Sequence, residues 1–379
     1  MEITGVETFQ VPPRWLFVKV STDEGVAGWG EATLEGRSGT VRTAVHELAE
    51  LIVGQDAERI EDHWQTMTKA GFYRGGPVFG SAVAGLDQAL WDIAGKSLGV
   101  PVHRLLGGPV RDRMRVYSWV GGDDPRQVKD AIAKQIDAGF TAVKMNVSGR
   151  MPHLASAADV AAVLDRMAAA REALGPDRDF AVDFHGRVPF ETAARLIPQL
   201  TPFHVMFVEE PTLPEYSHLL SRLADQVPIA TGERLYHRSE FLPALQAGVS
   251  VVQPDVSHAG GITEVRRIAS LADVFDACLA PHCPLGPIAL AACLQVDFAT
   301  PNAVIQEQSL GIHYNVGNDL LDYLVDTSVF DFRDGYVEKP PRPGLGIEID
   351  ESAVRAAAAN PHVWRTPTWR HADGSFAEW

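Results

Sequence analysis

The chain has 379 residues, 46% hydrophobic and 22% charged, with no low-complexity tract. This is the make-up of a globular protein with two packed domains, or one large barrel with additions. Its 49 acidic residues against 33 basic ones leave a formal net charge of −16, which argues against nucleic acid and anionic membrane surfaces as partners. An anionic substrate then needs a local cation, most simply a metal ion. Three cysteines (Cys278, Cys283, Cys293) form no C-x-x-C pair, the N-terminus has no signal-peptide pattern, and no apolar run is long enough to span a bilayer. A reduced, cytoplasmic setting is expected.

Three β-like runs open the chain: V-E-T-F-Q-V (6–11), L-F-V-K-V-S-T (16–22) and V-A-G-W-G-E-A (26–32), with the turn signal T-D-E-G between the last two. Helical periodicity follows over 40–54, 57–70 and 81–99, the last closed by Gly99 with Pro101 beyond it. Strands first and helices after predict an α+β unit over residues 1–112.

From about residue 115 the pattern becomes an alternation. Eight apolar runs (116–120, 142–147, 180–184, 205–210, 228–233, 249–255, 277–282 and 303–308) alternate with amphipathic stretches at 125–139, 154–175, 190–200, 215–226, 238–248, 261–275 and 287–299. That order predicts an α/β fold, a (β/α)8-type barrel over 113–320 with the α+β unit as an N-terminal cap. An open doubly wound sheet is disfavoured, because no G-x-G-x-x-G follows any run.

The polar residues fall at the ends of the runs: Lys144 and Asn146 on the second, Asp183 and His185 on the third, Glu209 and Glu210 on the fourth. Glu233 ends the fifth, Asp255 the sixth, His282 the seventh and Glu307 the eighth. Barrel active sites lie at the C-terminal ends of the strands. Strand alternation puts Asp183 and His185 of F-A-V-D-F-H-G-R (180–187) on one inward face. Asp183, Glu209 and Glu233 stand on neighbouring strands about 5 Å apart, where three carboxylates call for a hard divalent cation. Mg2+, with its six oxygen ligands, leaves positions for water and a 2-hydroxycarboxylate. Zinc spacing is absent: H-E-L-A-E (46–50) lacks a second His, and the first barrel run has no His-x-His. Asp255 and His282 end adjacent strands and are placed to form a dyad in which the carboxylate fixes the imidazole tautomer. His185, across the mouth, completes a pair of imidazoles, one to remove a proton and one to donate it.

The carboxylates on the third to fifth strands, the His on the seventh and the cap resemble the enolase superfamily, mandelate-racemase branch. Closer still is the likeness to the D-galactonate dehydratase family. It is carried by G-F-Y-R-G-G-P (71–77), Y-S-W-V-G-G-D (117–123), D-F-H-G-R (183–187), Q-P-D-V-S-H-A-G-G-I-T-E (253–264), L-A-P-H-C-P-L-G-P-I-A-L-A-A-C-L (279–294), Q-E-Q-S-L-G-I-H-Y-N (306–315), P-G-L-G-I-E-I-D (343–350) and W-R-H-A-D-G-S-F-A-E-W (369–379). The resemblance implies Mg2+ on Asp183, Glu209 and Glu233. It implies that His282, oriented by Asp255, takes the C2 proton of a sugar acid, that the metal and Glu307 stabilise the enediolate, and that His185 protonates the departing 3-hydroxyl to yield a 2-keto-3-deoxy acid. It also implies a homo-oligomer, octameric in several members, and a C-terminal segment (321–379) returning to the cap.

Two departures matter. Racemases of the branch carry Lys-x-Lys on the second strand, whereas this chain has Lys144-Met145-Asn146, which favours β-elimination over racemisation, epimerisation or cycloisomerisation. The loop after that strand (147–158) differs from the corresponding loop of the dehydratases, which leaves other aldonic or aldaric acids as alternatives. Arg14, Trp15 and Arg37 are cap residues placed to approach a substrate. Cys283 reads as a buried small residue, the Asn146-Val147-Ser148 sequon as chance, and Gly71–Gly76 lacks the Lys-Ser/Thr of a phosphate loop.

Overall fold

A computed structural model of the chain describes residues 1–122 and 124–379; Asp123, the last residue of Y-S-W-V-G-G-D, lies outside the described residues. Strands β1 (Ile3–Val11), β2 (Trp15–Thr22) and β3 (Ala27–Glu31) form an antiparallel sheet. Helices α1 (Ser38–Ala49), α2 (Ile60–Lys69) and α3 (Pro77–Leu98) accompany it. Alternate residues of β2 (Leu16, Val18, Val20) join Val45, Leu86 and Leu90 in one apolar core, as period 2 meeting period 3.6 requires. Pro77 opens α3 and Gly99, left-handed at φ 67°, closes it. A short turn of helix, α4 (Val102–Leu105), leads to the second unit.

That unit is the expected barrel. Its strands are β4 (Arg113–Val120), β5 (Ala142–Asn146), β6 (Asp179–Asp183), β7 (Val208–Glu209), β8 (Ile229–Thr231), β9 (Val251–Val252), β10 (Cys278–Leu279) and β11 (Gln306–Gln308). They pair in parallel in chain order, β11 returns to β4, and a parallel bridge from Leu279 to Ala303 closes the remaining gap. The outer helices are α5 (Pro125–Asp137), α6 (Ala157–Leu174), α7 (Phe190–Leu200), α8 (Arg238–Gln246), α9 (Gly261–Asp273) and α10 (Pro287–Ala299). The stretch expected as an amphipathic helix after the fourth strand is instead a 3₁₀ helix, Pro214–Arg222, broken at Tyr216. The Ser217 hydroxyl there donates to the Pro214 carbonyl, a local bond that competes with α-helical pairing.

One residue from each barrel run forms a separate apolar cluster: Tyr117, Ala142, Ala181, Phe207, Ala230, Val251, Ala280 and Ile305. Two residues further along, on the same face of each run, stand Trp119, Lys144, Asp183, Glu209, Gly232, Gln253, His282 and Glu307. The apolar layer is the floor and the polar layer directly above it is the site, as the layered filling of such barrels dictates.

After β11, β12 (Tyr336–Glu338) adds antiparallel to β4. Helix α11 (Glu351–Ala358) packs on the cap through Lys19–Glu351 at 2.8 Å and Arg355–Glu7 at 2.9 Å. A hairpin of β13 (Trp369–Arg370) and β14 (Phe376–Ala377) ends the chain. Among the described residues no helix is long and apolar enough to cross a membrane, and the three cysteines are unpaired.

The cap is pinned to the barrel by Glu31, the last residue of β3. Its buried carboxylate accepts from the backbone N–H groups of Gly286 (2.9 Å) and Ala289 (3.0 Å) at the start of α10, and from the Thr33 hydroxyl. A side chain at Gly286 would place its Cβ 2.6 Å from Glu31 Oε2, so only glycine admits the contact. An anionic group at a helix N-terminus satisfies donors that the helix itself leaves open. Replacing Glu31 by Ala leaves those donors buried and unpaired. The expected cost is about 2–4 kcal/mol in urea unfolding, with a much smaller loss for Glu31→Gln.

Candidate active site

At the C-terminal ends of the strands, under the cap, lies a cavity of about 340 Å³. Lys144, Asp183, His185, Glu233, His282 and Glu307 face it from the barrel, and Arg14, Glu35, Arg37 and Pro77 from the cap.

Asp183 ends β6, and the strand stops there. His185 is therefore not delivered by strand alternation, as expected from the sequence. It sits in a left-handed turn at φ 48°, with Gly186 at φ 62° after it. Its N–H donates to Asp183 Oδ1 at 2.7 Å, and this folds the imidazole back so that Nε2 lies 2.9 Å from Asp183 Oδ2. The two groups do meet, through the turn rather than the strand. Glu233 likewise stands one residue beyond the inward position. Gly232 occupies that position because a Cβ there would lie 2.6 Å from the Phe241 ring and 2.9 Å from the Gln253 backbone.

Lys144 sits at the centre of the acidic layer, its ammonium 2.8 Å from Glu209 Oε1, 2.9 Å from Glu307 Oε1 and 3.7 Å from Asp183 Oδ2. Burial disfavours its charge, but Glu209 and Glu307 outweigh that and raise its pKa well above the usual lysine range. Burial pushes the Glu209 carboxyl up to about 7 against the pull of Lys144. Burial, then Glu210, drives Glu233 well above the ordinary range. Asp183 goes the other way: burial opposes ionisation, but the His185 ring and Lys144 hold it well below the carboxylate range. Glu307 is also held low, against burial, by Lys144 and His282. Glu210, adjacent in sequence to Glu209, pairs instead with Arg234 (Nε to Oε1 3.0 Å).

Donor atoms of Asp183, His185 and Glu233 lie within 4.8 Å of one another, while Glu209 turns one oxygen to Lys144. Of the expected trio of carboxylates, Asp183 and Glu233 face the cavity with His185 beside them, while Glu209 lies buried behind them on Lys144. The fit to a metal rests on their buried oxygens: Glu209 Oε2 and Glu233 Oε2 have no hydrogen-bond partner, and Asp183 Oδ2 has only the His185 ring at 2.9 Å and the more distant Lys144 ammonium beside it. Unpaired buried carboxylate oxygens are costly, and oxygen donors of this kind suit a hard divalent cation.

Opposite them, His282 Nδ1 is 2.7 Å from Asp255 Oδ2, with Nε2 3.4 Å from Glu233 Oε2. The predicted dyad is formed. Burial disfavours the imidazolium, but Glu233 and Asp255 raise the His282 pKa well above its ordinary value. Cys283 is buried, its backbone N–H donating to Glu307 Oε2 at 2.8 Å. Asn146 does not line the catalytic cavity; it faces a second cavity of about 850 Å³, shared at Trp119, Tyr314 and Trp379.

Several residues that line the site carried no signal as ligands or acids. Glu35 of the cap lies 3.5 Å from His258 Nε2, and His258 Nδ1 lies 3.8 Å from Asp255 Oδ2. Burial opposes the Glu35 charge, but His258 and Arg14 bring its carboxyl down to about 2. His258 stands three residues after Asp255 in Q-P-D-V-S-H, so the motif was visible although its use was not. Arg14 is buried, donates to the Pro284 carbonyl at 2.7 Å and stacks 4.8 Å over Tyr314. Trp15, by contrast, is wholly buried core. The terminal residue, Trp379, reaches the cavity wall 6.2 Å from Tyr314, a placement that no local pattern announces.

Family models match both units: the mandelate racemase/muconate lactonizing enzyme N-terminal domain over residues 4–107 and the enolase C-terminal domain-like model over 127–353. Over the full length of both chains, the sequence is 52% identical to the D-galactonate dehydratase of Variovorax paradoxus and 54% identical to that of Ralstonia pickettii. Among solved structures, a putative galactarate dehydratase from Agrobacterium radiobacter, bound to Na and L-malate, superposes over all of both chains with TM-score 0.90 at 33% identity. A putative dehydratase from Mesorhizobium loti matches 94% of this chain and 98% of its own with TM-score 0.88 at 30% identity. The chain belongs to the enolase superfamily, in its mandelate racemase branch, and there to the D-galactonate dehydratase family of hydro-lyases. Members of the superfamily bind a divalent metal, and the acidic cluster is its candidate site here.

Metal occupancy should therefore stabilise the fold: at a hundredfold excess over Kd the gain is about 2.7 kcal/mol. Scanning fluorimetry with and without divalent cations reads it as a rise in Tm, which Glu233→Gln should remove for the most part.

Proposed function

We propose that the protein dehydrates D-galactonate to 2-dehydro-3-deoxy-D-galactonate with Mg2+ as its metal. The observation that carries this reading is the buried Asp255–His282 pair, whose free Nε2 lies 3.4 Å from Glu233, a carboxylate with an orphaned oxygen. A base beside a cation site is what proton abstraction next to a carboxylate requires. The relatives named as D-galactonate dehydratases support the sugar acid, and the structural neighbour's L-malate is likewise a 2-hydroxy acid.

On this reading Asp183, Glu209 and Glu233 would hold Mg2+, which when bound would supply positive charge to the substrate carboxylate. Asp255 keeps the proton of His282 on Nδ1, so Nε2 takes the C2 proton. Lys144, held by Glu307 at 2.9 Å, supplies a fixed positive charge on the side where the enediolate develops, and Glu307 acts by keeping that ammonium in place. His185 protonates the 3-hydroxyl, which departs as water while C2=C3 forms, and the enol then becomes the 2-keto acid. With Asn146 facing the other cavity, no second base stands where the racemases carry one, which favours elimination over epimerisation.

A screen of aldonic and aldaric acids for 2-keto-acid formation tests the substrate. D-Galactonate should show the highest kcat/KM, with activity abolished by chelation and restored by Mg2+; a clear preference for D-gluconate would sink the substrate assignment and leave the chemistry standing. In deuterated water, His282→Asn should lose both dehydration and C2 exchange. His185→Asn should lose dehydration and keep exchange, each loss being ~10²–10⁴-fold.

A further inference from the structure

Among the described residues, Glu35 is the one carboxylate that the cap presents to the catalytic cavity; the cap's other lining residues are Arg14, Leu34, Arg37 and Pro77. Its side chain is 19% exposed, yet its oxygens have no partner at close hydrogen-bond distance. The nearest donors are His258 Nε2 at 3.5 Å and Arg14 Nη1 at 3.9 Å. Burial opposes its charge, but His258 and Arg14 keep it ionised at neutral pH. A largely buried anion with open acceptor positions, on the wall of a cavity, is a place for a ligand's donor.

The cations around it are already matched. Arg14, 4% exposed, donates from Nη2 to the Pro284 carbonyl, lies over the Tyr314 ring and has Glu35 as its nearest carboxylate. His258 stands between Glu35 and Asp255. Arg234 is bound to Glu210, and Arg37 is exposed, where water weakens its field. This wall is therefore balanced in charge, with an acceptor, Glu35, beside a donor, Arg14. A hydroxyl suits such a pair, because it both donates and accepts. A carboxylate does not: it has no proton to give Glu35, and the two like charges repel.

We propose that Glu35 is a specificity-determining residue that selects sugar acids ending in a hydroxymethyl group (aldonic acids) over those ending in a second carboxylate (aldaric acids). It does so by accepting a hydrogen bond from the substrate's far hydroxyl and by repelling a carboxylate in that place. This role rests on the dehydratase reading above, which sets the reacting carboxylate at the acidic strand ends of the barrel. A six-carbon acid held there extends away from the barrel floor and meets the cap.

The segment that carries Glu35 is fixed. Four residues earlier, Glu31 is docked on the start of α10, and the Thr33 hydroxyl donates to Glu31 while it accepts from the Leu16 N–H. The Leu34 carbonyl accepts from the Arg37 N–H at 2.9 Å, which closes a turn around Glu35. The same anchor that joins cap to barrel thus places the carboxylate. Without its charge, Arg14 becomes a buried cation with no carboxylate beside it and with Nε unpartnered. A second substrate carboxylate is then its counter-ion. Removing the charge of Glu35 therefore does more than weaken binding: it moves preference toward the aldaric acid.

D-Galactonate and galactarate are the pair that tests this, because they share their configuration from C2 to C5 and differ only at C6, a hydroxymethyl group in one and a carboxylate in the other. With full-length protein and Mg2+, kcat/KM for D-galactonate should exceed that for galactarate by ~10²-fold or more, and Glu35→Gln should lower the first about tenfold and raise the second, narrowing the ratio by ~10²-fold. If the screen selects another aldonic acid, its own aldaric counterpart takes the place of galactarate. Calorimetric titration of the same two acids into His282→Asn, with and without Glu35→Gln, should show the same change of preference in binding alone. An equal fall for both acids, or an unchanged ratio, would mean that Glu35 only joins cap to barrel and would overturn the inference while dehydration stands. A wild-type preference for the aldaric acid would overturn it as well. If no sugar acid is dehydrated or bound, the dehydratase reading fails and this role fails with it.

Discussion

The structure depends on one electrostatic constraint: a layer of carboxylates gathered at the closed end of a parallel barrel must be neutralised where water is scarce. Two like charges 4 Å apart repel by about 4 kcal/mol at an effective dielectric constant of 20, and desolvation adds to that. Lys144 answers part of it, reaching Glu209, Glu307 and Asp183 with one ammonium. Glu209 Oε2 and Glu233 Oε2, which it does not reach, remain unpaired, on residues whose chemistry suits a divalent cation. The acidic layer is thus balanced partly by the chain and partly by what the chain is built to bind.

The cap makes this environment possible. Glu31 ties β3 to the start of α10, only a few residues after His282, so the loop carrying the base is held from the cap side. Arg14 and Glu35 then form part of the cavity wall, and Glu35 with His258 extends the polar network behind Asp255. Closing a charged site with a second domain strengthens every interaction in it, because the dielectric falls as water is displaced.

Much of the fold was legible because its signals are periodic. The alternation of short apolar runs with amphipathic stretches announces the barrel, and polar residues at the ends of those runs mark Lys144, Asp183, Glu209, His282 and Glu307 as a group at its C-terminal face; the apolar layer two residues below them shows only in the folded chain. The 3₁₀ helix at Pro214–Arg222 escaped because its pattern is amphipathic enough for an α-helix, while a proline and a serine back-bond set the local geometry. His185 escaped in a different sense: it reaches the site from a turn at positive φ, where strand periodicity no longer applies.

The sequence by itself determined the alternating barrel, its cap, the acidic strand ends, the Asp255–His282 pairing and the family resemblance, because these follow from residue type at fixed spacing. Only the tertiary structure decided which atoms face one another: that Glu209 bonds to Lys144, that Glu35 of the cap meets His258 of the barrel, and that the last residue of the chain reaches the wall of the cavity. Polar partnership between residues 65 or more apart in the chain has no local signature. It is set by how two separately patterned units dock, and that depends on packing and desolvation over the whole molecule rather than on any stretch of it.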